Sequence, residues 1–275
     1  MIHVCLIGLG RTGMEIARIF LDQRDIKIIG AICSEFSSKA GKDIGEVLGL
    51  SDTGAKVYTP NQLKFIIEKL KPDIFVDFSN FKATMKNVKT ITEHGVGLVI
   101  GTTGFSKTDL MRMMVLAKKN NSGILYAPNI TVGVNVMMLL SNIAARILND
   151  YDFEITEAHH KFKKDSPSGT ALKIAAEVEK GLESSGVEIN ESIPIHAIRA
   201  GGIVGRHQLI IAGENDKIEI VHESFSRKAF AAGALKGVRF IKNKKGFFEM
   251  RDVLDLEKVM ASTFDKRGVA LYREG

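Results

Sequence analysis

The most chemically loaded run in this 275-residue chain is EAHHKFKKDSPSGTAL, residues 157–172. Two adjacent histidines, His159 and His160, end a segment of alternating polarity that predicts a β-strand. Lys163 follows them and can add a cation near the tip of that strand. Imidazolium and ammonium groups pair with carboxylates, and an imidazole also exchanges protons near neutral pH. The run therefore predicts a site that binds an anion.

The turn after the lysines predicts the start of a helix. In SPSGTAL, Ser168 is the expected N-cap, and Gly169 and Thr170 present backbone N–H groups in the first turn. A helix N-terminus beside cationic side chains is a good carboxylate site, because its N–H groups and its dipole both favour negative charge. The alternative is a solvated, lysine-rich connection that ends in an ordinary helix cap.

A second suggestive run is VCLIGLGRTGMEIARIF, in which Gly8, Gly10 and Gly13 form a G-x-G-x-x-G motif. The motif follows a strand-like apolar run and opens a segment whose apolar residues have helical spacing. Glycine at these positions permits a sharp turn, close approach of the backbone to a pyrophosphate, and tight packing of the helix. The motif predicts a dinucleotide site, and the alternative is a set of glycines that merely terminates a strand.

The end of the second predicted strand bears on which dinucleotide is bound. NAD sites usually place Asp or Glu there to accept a hydrogen bond from the ribose 2′-hydroxyl. This strand is followed instead by Ser34, with Glu35 one residue later and Lys39 further along. Hydroxyl and ammonium groups suit a 2′-phosphate, so the sequence favours NADPH over NADH. The alternative is that residues 34–42 form a solvated loop.

The first half of the chain alternates strand-like and helical patterns. Short apolar runs at 2–8, 26–33, 73–79, 97–103 and 123–128 are separated by helical segments. This order predicts a doubly wound parallel sheet of the Rossmann type. Ligands bind at the carboxyl ends of such strands, where Thr102, Thr103 and Asn129 supply polar groups.

The second half has a different pattern. A long apolar helix is predicted at 131–148, a strand at 152–160, a helix from about 169 to 184, and strands at 194–200, 206–213 and 217–224. The last three strands follow one another without helices, which predicts an α+β domain on a mostly antiparallel sheet. We therefore expect a dinucleotide-binding domain over 1–130, joined by 241–275, and a substrate-binding and oligomerisation domain over 131–240.

Composition narrows the class of partner. The chain is 45% hydrophobic and 25% charged, with a net charge of +6 whose Lys and Arg residues are mostly scattered. A small anionic ligand suits this pattern better than nucleic acid does. No apolar stretch approaches the ~18–20 residues that span a bilayer, and the N-terminus lacks a signal-peptide pattern. Cys5 and Cys33 lie in apolar runs without metal-site spacing. We expect a cytoplasmic protein that binds neither metal nor membrane.

The run at 157–172 resembles the signature of the 4-hydroxy-tetrahydrodipicolinate reductase (dihydrodipicolinate reductase) family, roughly E-x-H-H-x-x-K-x-D-x-P-S-G-T-A. The resemblance covers the whole chain, since VDFSNFKATMKN, VIGTTGFS, APNITVGVNVMM and IRAGGIVGRHQLII are similar to further family segments. Phe162 departs from the family, which often has a polar or histidine residue at this position. The resemblance implies an NAD(P)H-dependent reductase of lysine and diaminopimelate biosynthesis that is a homotetramer.

The resemblance also implies roles for individual residues. His159 would donate and accept the proton, and Lys163 would be the second catalytic donor. Hydride would pass from nicotinamide C4 to the ring C4, and the resulting enamine would take a proton from a positioned acid. The carboxylates of the substrate would be bound by His160, Ser168, Gly169 and Thr170. The cofactor would be bound by Gly8, Leu9, Gly10, Arg11, Thr12, Gly13, Ser34, Phe78, Gly101, Thr102, Thr103, Ala127, Pro128, Asn129 and Ile130.

Two other functions remain open on sequence alone. A related NAD(P)-dependent imine reductase or diamino-acid dehydrogenase would share the glycine motif but would be expected to lack the carboxylate-binding groups. A non-catalytic dinucleotide-binding regulator would give no reason for His159, Lys163 and Thr170 to converge.

Overall fold

The computed structural model of this protein describes residues 1–256, 258 and 259. Residues 257 and 260–275, which belong to the predicted segment 241–275 of the first domain, lie outside the described residues. The chain divides into two compact units, Met1–Pro128 joined by the segment that begins at Ala234, and Asn129–Gly233. No helix in the described part of the chain is long and apolar enough to cross a membrane.

The described elements alternate along the chain much as the sequence predicts. The strands are β1 (Ile2–Ile7), β2 (Ile26–Ile32), β3 (Lys56–Tyr58), β4 (Ile74–Asp77), β5 (Gly97–Ile100), β6 (Gly123–Tyr126), β7 (Asp152–His159), β8 (Ile195–Arg199), β9 (Arg206–Ala212), β10 (Lys217–Glu223) and β11 (Gly246–Glu249). The α-helices are α1 (Arg11–Leu21), α2 (Ile44–Leu48), α3 (Leu63–Phe65), α4 (Phe81–Glu93), α5 (Lys107–Lys119), α6 (Val132–Ile147), α7 (Gly169–Ser184), α8 (Lys228–Ile241) and α9 (Met250–Val253).

The helix predicted near residues 60–70 is present but changes type along its length. A 3₁₀ turn at Pro60–Gln62 leads into α3, and a π-helical turn at Ile66–Leu70 follows. A capping box between Thr59 and Gln62, with Pro60 at the first helical position, begins the segment.

The first unit is built on a seven-stranded sheet in the order β11-β6-β5-β4-β1-β2-β3, and every pairing in it is parallel. Its strands are short apolar runs because strands covered by helices on both faces are buried on both faces. Val4, Leu6 and Phe75 are accordingly buried. The strand order reverses between β1 and β4, which is where open α/β sheets bind ligands. The prediction of a Rossmann-type sheet is confirmed.

The second unit is built on a four-stranded sheet in the order β10-β9-β7-β8. Strand β9 pairs antiparallel with both β7 and β10, whereas β8 runs parallel to β7. The parallel pair arises because helix α7 connects β7 to β8, and parallel neighbours require such a crossover. Apolar residues of β7, β9, α6 and α7 form one core, which includes Phe153, Ile155, Ile174 and Leu209. The mostly antiparallel α+β fold is therefore as predicted.

Candidate active site

Backbone geometry and packing require glycine at two positions of the glycine motif. The third position is surrounded by open space. Gly8 has a φ of +92°, in the left-handed region that favours glycine. A Cβ on Gly13 would lie 1.9 Å from the carbonyl oxygen of Gly8, so the helix and the turn could not pack as they do. A Cβ on Gly10 would meet nothing within 4 Å. Helix α1 begins at Arg11 without a side-chain cap, which leaves its first N–H groups for an anion.

These features fit a bound dinucleotide. The turn at Gly8 is closed by its N–H, which donates to the carbonyl of Ile32 at 2.8 Å. Space above Gly10 allows a pyrophosphate to approach the backbone, and the N-terminus of α1 supplies donors and a favourable dipole. Leu9 is buried and anchors the loop in the core.

A cleft in the first unit collects several of the predicted cofactor residues. Its lining comes from the start of α1 and from the loops after β4 and β5, at the carboxyl ends of the strands. Phe78 packs closely on Gly101, where a Cβ would lie 2.3 Å from the ring. The cleft is lined by Thr12, Phe78, Ser79, Asn80, Phe81, Gly101, Thr102 and Thr103.

A buried carboxylate, which the sequence did not single out, ties these loops together. Asp77, 1% exposed, ends β4 and accepts hydrogen bonds from the N–H of Ser79 at 2.9 Å and the hydroxyl of Thr84 at 2.8 Å. Burial raises the pKa of Asp77 above its ordinary value, although hydrogen bonds from Ser79, Thr84 and Thr102 act in the opposite direction. The signal in the sequence was an Asp at the end of an otherwise apolar strand.

The loop after β2 reaches the glycine motif through one side chain. Ser34 is exposed and accepts a backbone hydrogen bond from Ser37 at 3.1 Å. The ammonium group of Lys39 donates to the carbonyl of Leu9 at 2.5 Å. Ser34 and Lys39 thus lie on a loop that is fixed against the glycine motif.

The predicted segment 127–130 falls at the division between the two units. Ala127, which belongs to the first unit, donates its N–H to the carbonyl of Ile100 at 2.8 Å. Pro128 ends that first stretch, and Asn129 and the buried Ile130 belong to the second unit. There the side-chain oxygen of Asn129 accepts from the hydroxyl of Thr170 at 2.7 Å. This hydrogen bond therefore connects Asn129, a predicted cofactor-binding residue, to Thr170, a predicted substrate-binding residue.

His159, the predicted proton-handling residue, is held by a buried carboxylate. His159 Nδ1 lies 2.5 Å from Glu157 Oε2, and Glu157 is 0% exposed. Arg199 donates to both carboxylate oxygens, from Nη1 to Oε2 at 2.8 Å and from Nη2 to Oε1 at 2.6 Å. The N–H of Ser168 adds a fourth bond, to Oε1 at 3.0 Å. The two residues of β7 share a face of the sheet because they are two positions apart.

The pKa values of this cluster follow from burial and from the charges around it. Burial acts to raise the pKa of Glu157, but hydrogen bonds from Arg199, His159 and Ser168 outweigh it, so the pKa lies below its ordinary value. Burial lowers the pKa of His159, and the charges of Lys163 and Arg199 add to this effect, while Glu157 opposes it. Burial lowers the pKa of the neighbouring His207 to about 3. At neutral pH the cluster therefore holds an ionised Glu157 and two uncharged histidines.

The other residues of the run 157–172 lie around this cluster. His160 is partly buried, and its Nδ1 is buried without a hydrogen-bond partner among the described residues. Lys163 pairs with Asp165 at 2.8 Å and donates its N–H to the carbonyl of His160 at 3.0 Å. Phe162 is 71% exposed, and its ring centroid lies 6.4 Å from that of His160. The structure gives no reason for an apolar residue at position 162.

The predicted N-cap is present. The hydroxyl of Ser168 accepts from the N–H of Ala171 at 3.1 Å and lies 3.1 Å from His207 Nε2. Ser168 is 1% exposed, so its hydroxyl and N–H both have partners inside the protein. Gly169 is exposed, and the N–H groups of Gly169 and Thr170 have no acceptor within the helix they begin. The first turn of α7 can therefore bind an anion.

The sequence patterns did not identify the residues that surround His159. Glu157 belongs to the quoted run, and its alternation with His159 indicated a shared face. Arg199 and Gly205 lie in IRAGGIVGRH, a segment that resembles the family. No local pattern in this segment predicts a role for either residue. A Cβ on Gly205 would lie 3.2 Å from His159 Nε2, so a side chain there would crowd the free ring nitrogen.

A glycine-motif dinucleotide fold, combined with an α+β unit that gathers imidazole, ammonium and helix N–H groups, defines a two-domain NAD(P)H-dependent oxidoreductase. Two family models match the chain. Residues 2–130 match "Dihydrodipicolinate reductase, N-terminus", and residues 133–254 match "Dihydrodipicolinate reductase, C-terminus". The chain belongs to the dihydrodipicolinate reductase family, which confirms the predicted resemblance.

Individual relatives agree with this assignment. The chain is 39% identical to the 4-hydroxy-tetrahydrodipicolinate reductase of Methanocaldococcus jannaschii, over 94% of this chain and 99% of that protein. It is 38% identical to the protein of the same name from Methanopyrus kandleri, over 92% and 97% of the two chains. A dipicolinate-bound dihydrodipicolinate reductase from Paenisporosarcina sp. TG-14 has a TM-score of 0.74 at 27% identity, covering 90% of this chain and 97% of that one.

Proposed function

We propose that this protein reduces 4-hydroxy-tetrahydrodipicolinate to tetrahydrodipicolinate, the step named for its relatives in lysine and diaminopimelate biosynthesis. The observation that carries the proposal is the link through Glu157 between His159 and the first turn of α7. One buried carboxylate thereby holds a proton-handling imidazole beside helix N–H groups that suit a carboxylate. Dipicolinate, which is bound in the solved relative from Paenisporosarcina sp. TG-14, has the two carboxylates that such a site requires.

The residues divide the chemistry between binding and proton transfer. The N–H groups of Gly169 and Thr170, with His160, bind carboxylate oxygens of the substrate. Ser168 acts through its position, because its own polar groups already have partners within the protein. Loss of the 4-hydroxyl group as water leaves an unsaturated ring, to which bound NAD(P)H would supply a hydride. His159 Nε2 takes up a proton from solvent or from the ammonium group of Lys163 and passes it to the electron-rich ring, and the positive charge of Lys163 also stabilises the bound dianion.

We propose NADPH as the preferred cofactor. The second residue after β2 is Ser34, which has no carboxylate, so a 2′-phosphate meets no negative charge from that position. Lys39 lies on the same loop, with its ammonium group at the glycine motif, where it can turn towards a phosphate.

The test is the rate of cofactor oxidation when the substrate is generated in situ by dihydrodipicolinate synthase. We expect oxidation of both cofactors, with a higher kcat/KM for NADPH. Absence of oxidation with either cofactor, in protein that binds dinucleotide, would contradict the proposed reaction. A higher kcat/KM for NADH would contradict the cofactor preference alone.

We also propose that the protein is a homotetramer assembled through the sheet of the second unit. Ile198 on β8 and Val221 on β10 are 52% and 47% exposed, and apolar residues exposed on a sheet suit an interface. Light scattering should give about four times the 30.1 kDa mass of one chain. A mass equal to one chain would contradict this assembly.

A further inference from the structure

Glu157 has all four of its acceptor positions occupied, and this constrains the proton on His159. A carboxylate has two oxygens, each with about two acceptor sites, and no proton to donate when it is ionised. Oε1 accepts from Arg199 Nη2 and from the N–H of Ser168, and Oε2 accepts from Arg199 Nη1. The remaining partner of Oε2 is His159 Nδ1, at 2.5 Å. The Nδ1 atom must therefore carry the hydrogen.

The opposite nitrogen of the same ring faces a position kept free of side chains. No hydrogen bond to His159 Nε2 occurs within the described residues, and Nε2 is not among the fully buried polar atoms. Gly205 lies beside it, and a Cβ at this position would lie 3.2 Å from Nε2, so the absence of a side chain there leaves the nitrogen accessible. With the proton on Nδ1, the neutral ring presents an unprotonated Nε2 that can take up a proton and return it.

Arg199 makes this arrangement possible in a buried site. An isolated carboxylate at 0% exposure would be strongly penalised, and the two hydrogen bonds from the guanidinium compensate its charge. Arg199 also donates to the carbonyl of Asp165 at 2.8 Å, and the carboxylate of Asp165 pairs with Lys163. The pair of Glu157 and Arg199 thus contacts His159, the turn that carries Lys163, and the first turn of α7.

We propose that Glu157, held by Arg199, is a positioning residue that fixes His159 as the Nδ1–H tautomer and aligns it with the anion-binding turn of α7. The inference rests on the proposed function for its effect on turnover, whereas the tautomer is independent of the substrate. The competing interpretation is that Glu157 and Arg199 form a structural ion pair that stabilises the sheet and does not determine the tautomer of His159.

Substitution by glutamine distinguishes the two interpretations. In Glu157→Gln, the amide oxygen can still accept from Arg199 or Ser168, but the amide nitrogen donates towards His159 Nδ1. Nδ1 must then be an acceptor, so the proton moves to Nε2. Glu154→Gln is the matched control, because Glu154 lies on the same strand and also bonds a histidine, His196, at 2.6 Å, with both side chains well exposed.

The first measurement is the nitrogen NMR spectrum of protein with ¹⁵N-labelled histidine, with the His159 signals assigned from the spectrum of His159→Gln. We expect the Nδ1–H tautomer at neutral pH in the native protein and in Glu154→Gln, and the Nε2–H tautomer in Glu157→Gln. An Nε2–H tautomer in the native protein would overturn the inference without any variant. Retention of Nδ1–H in Glu157→Gln would overturn it as well.

The second measurement is steady-state turnover of the same proteins. We expect Glu157→Gln to lower kcat by about 10²-fold, in the range of lost acid–base assistance, with dinucleotide affinity unchanged. Glu157→Asp, which restores a carboxylate, should recover the Nδ1–H tautomer and part of kcat. Full turnover in Glu157→Gln would overturn the positioning role while leaving the proposed reaction intact. A native protein without reductase activity but with Nδ1–H would instead contradict the proposed reaction alone.

Discussion

At the scale of single residues, His159 and Lys163 have different parts in the proposed reaction: His159 exchanges a proton and Lys163 contributes a positive charge. Burial lowers the pKa of His159, so the ring is neutral at pH 7 and its free nitrogen can accept a proton. Lys163 pairs with Asp165 and contributes a positive charge that a bound dianion would feel. We therefore expect both residues to act on the substrate, since neither belongs to the unit that carries the glycine motif.

Removing either group should lower turnover while sparing dinucleotide binding. We expect His159→Gln and Lys163→Ala each to reduce kcat by roughly 10²- to 10⁴-fold, the range for lost acid–base catalysis. Lys164→Ala is the control, because Lys164 is exposed in the same turn and should retain native turnover. Fluorescence titration with NADPH checks affinity separately. A collapse of NADPH binding in His159→Gln would show that these residues serve the cofactor instead.

The sequence predicted His159, Lys163 and the cap at Ser168 because each is recognisable from its neighbours in the chain. Glu157 could be placed on the same face as His159 by alternation, but its charge partner could not be predicted. Arg199 lies 42 residues further on, and its contact depends on the parallel pairing of β8 with β7. That register is set by the packing of α7 across the sheet, which local patterns do not encode.

At the scale of elements, the turn from β1 into α1 shows how glycine serves packing and binding at different positions. Gly13 is required by the protein itself, because its Cα approaches the carbonyl of Gly8. Gly10 is surrounded by open space in the protein and so is required only if a ligand approaches it. The motif predicted this division from its position between a strand and a helix.

Alanine at these two positions should give opposite results. Gly13→Ala puts a Cβ within 1.9 Å of a backbone oxygen, so we expect a loss of about 1–3 kcal/mol in the free energy of unfolding. Gly10→Ala should lose less stability but weaken NADPH binding, by about tenfold, because the methyl group lies where a pyrophosphate would approach. Urea denaturation and NADPH titration measure the two effects. Native NADPH affinity in Gly10→Ala would contradict cofactor binding at this turn.

Element-level patterns predicted the mostly antiparallel sheet but not the pairing of each strand within it. The patterns of β8, β9 and β10 are alike, and nothing in them indicated that β8 would pair parallel with β7. The sequence pattern likewise did not predict the change of helix type between residues 60 and 70, although Thr59 and Pro60 indicate where the segment begins.

At the scale of the whole molecule, buried histidines link folding to pH. The pKa values of His159, His207 and His222 are all lowered, in each case mainly by burial, and that of His207 falls to about 3. Glu157 opposes the shift at His207, while His159, His222 and Lys163 add to it. In the unfolded chain a histidine has a pKa of about 6.5. Below that pH these histidines bind protons in the unfolded chain that they do not bind in the folded protein.

Stability should therefore fall as the pH falls from about 6.5. Because the unfolded state binds more protons in this window, His207 alone should contribute a slope of about 1.4 kcal/mol per pH unit. Urea denaturation between pH 7.5 and pH 5 measures it. His207→Gln should reduce the slope by about that amount. An unchanged slope in His207→Gln would show that His207 takes up a proton in the folded protein.

The proposed function is a specific reduction, and the fate of labelled hydrogen tests it most directly. The reaction is run with NADPH that carries deuterium at the transferred position of C4, and the product is examined by NMR. We predict deuterium at C4 of the tetrahydrodipicolinate ring and, in a second reaction in heavy water, solvent deuterium at the adjacent carbon. Deuterium retained on the nicotinamide, with no labelled product formed, would contradict the proposed function.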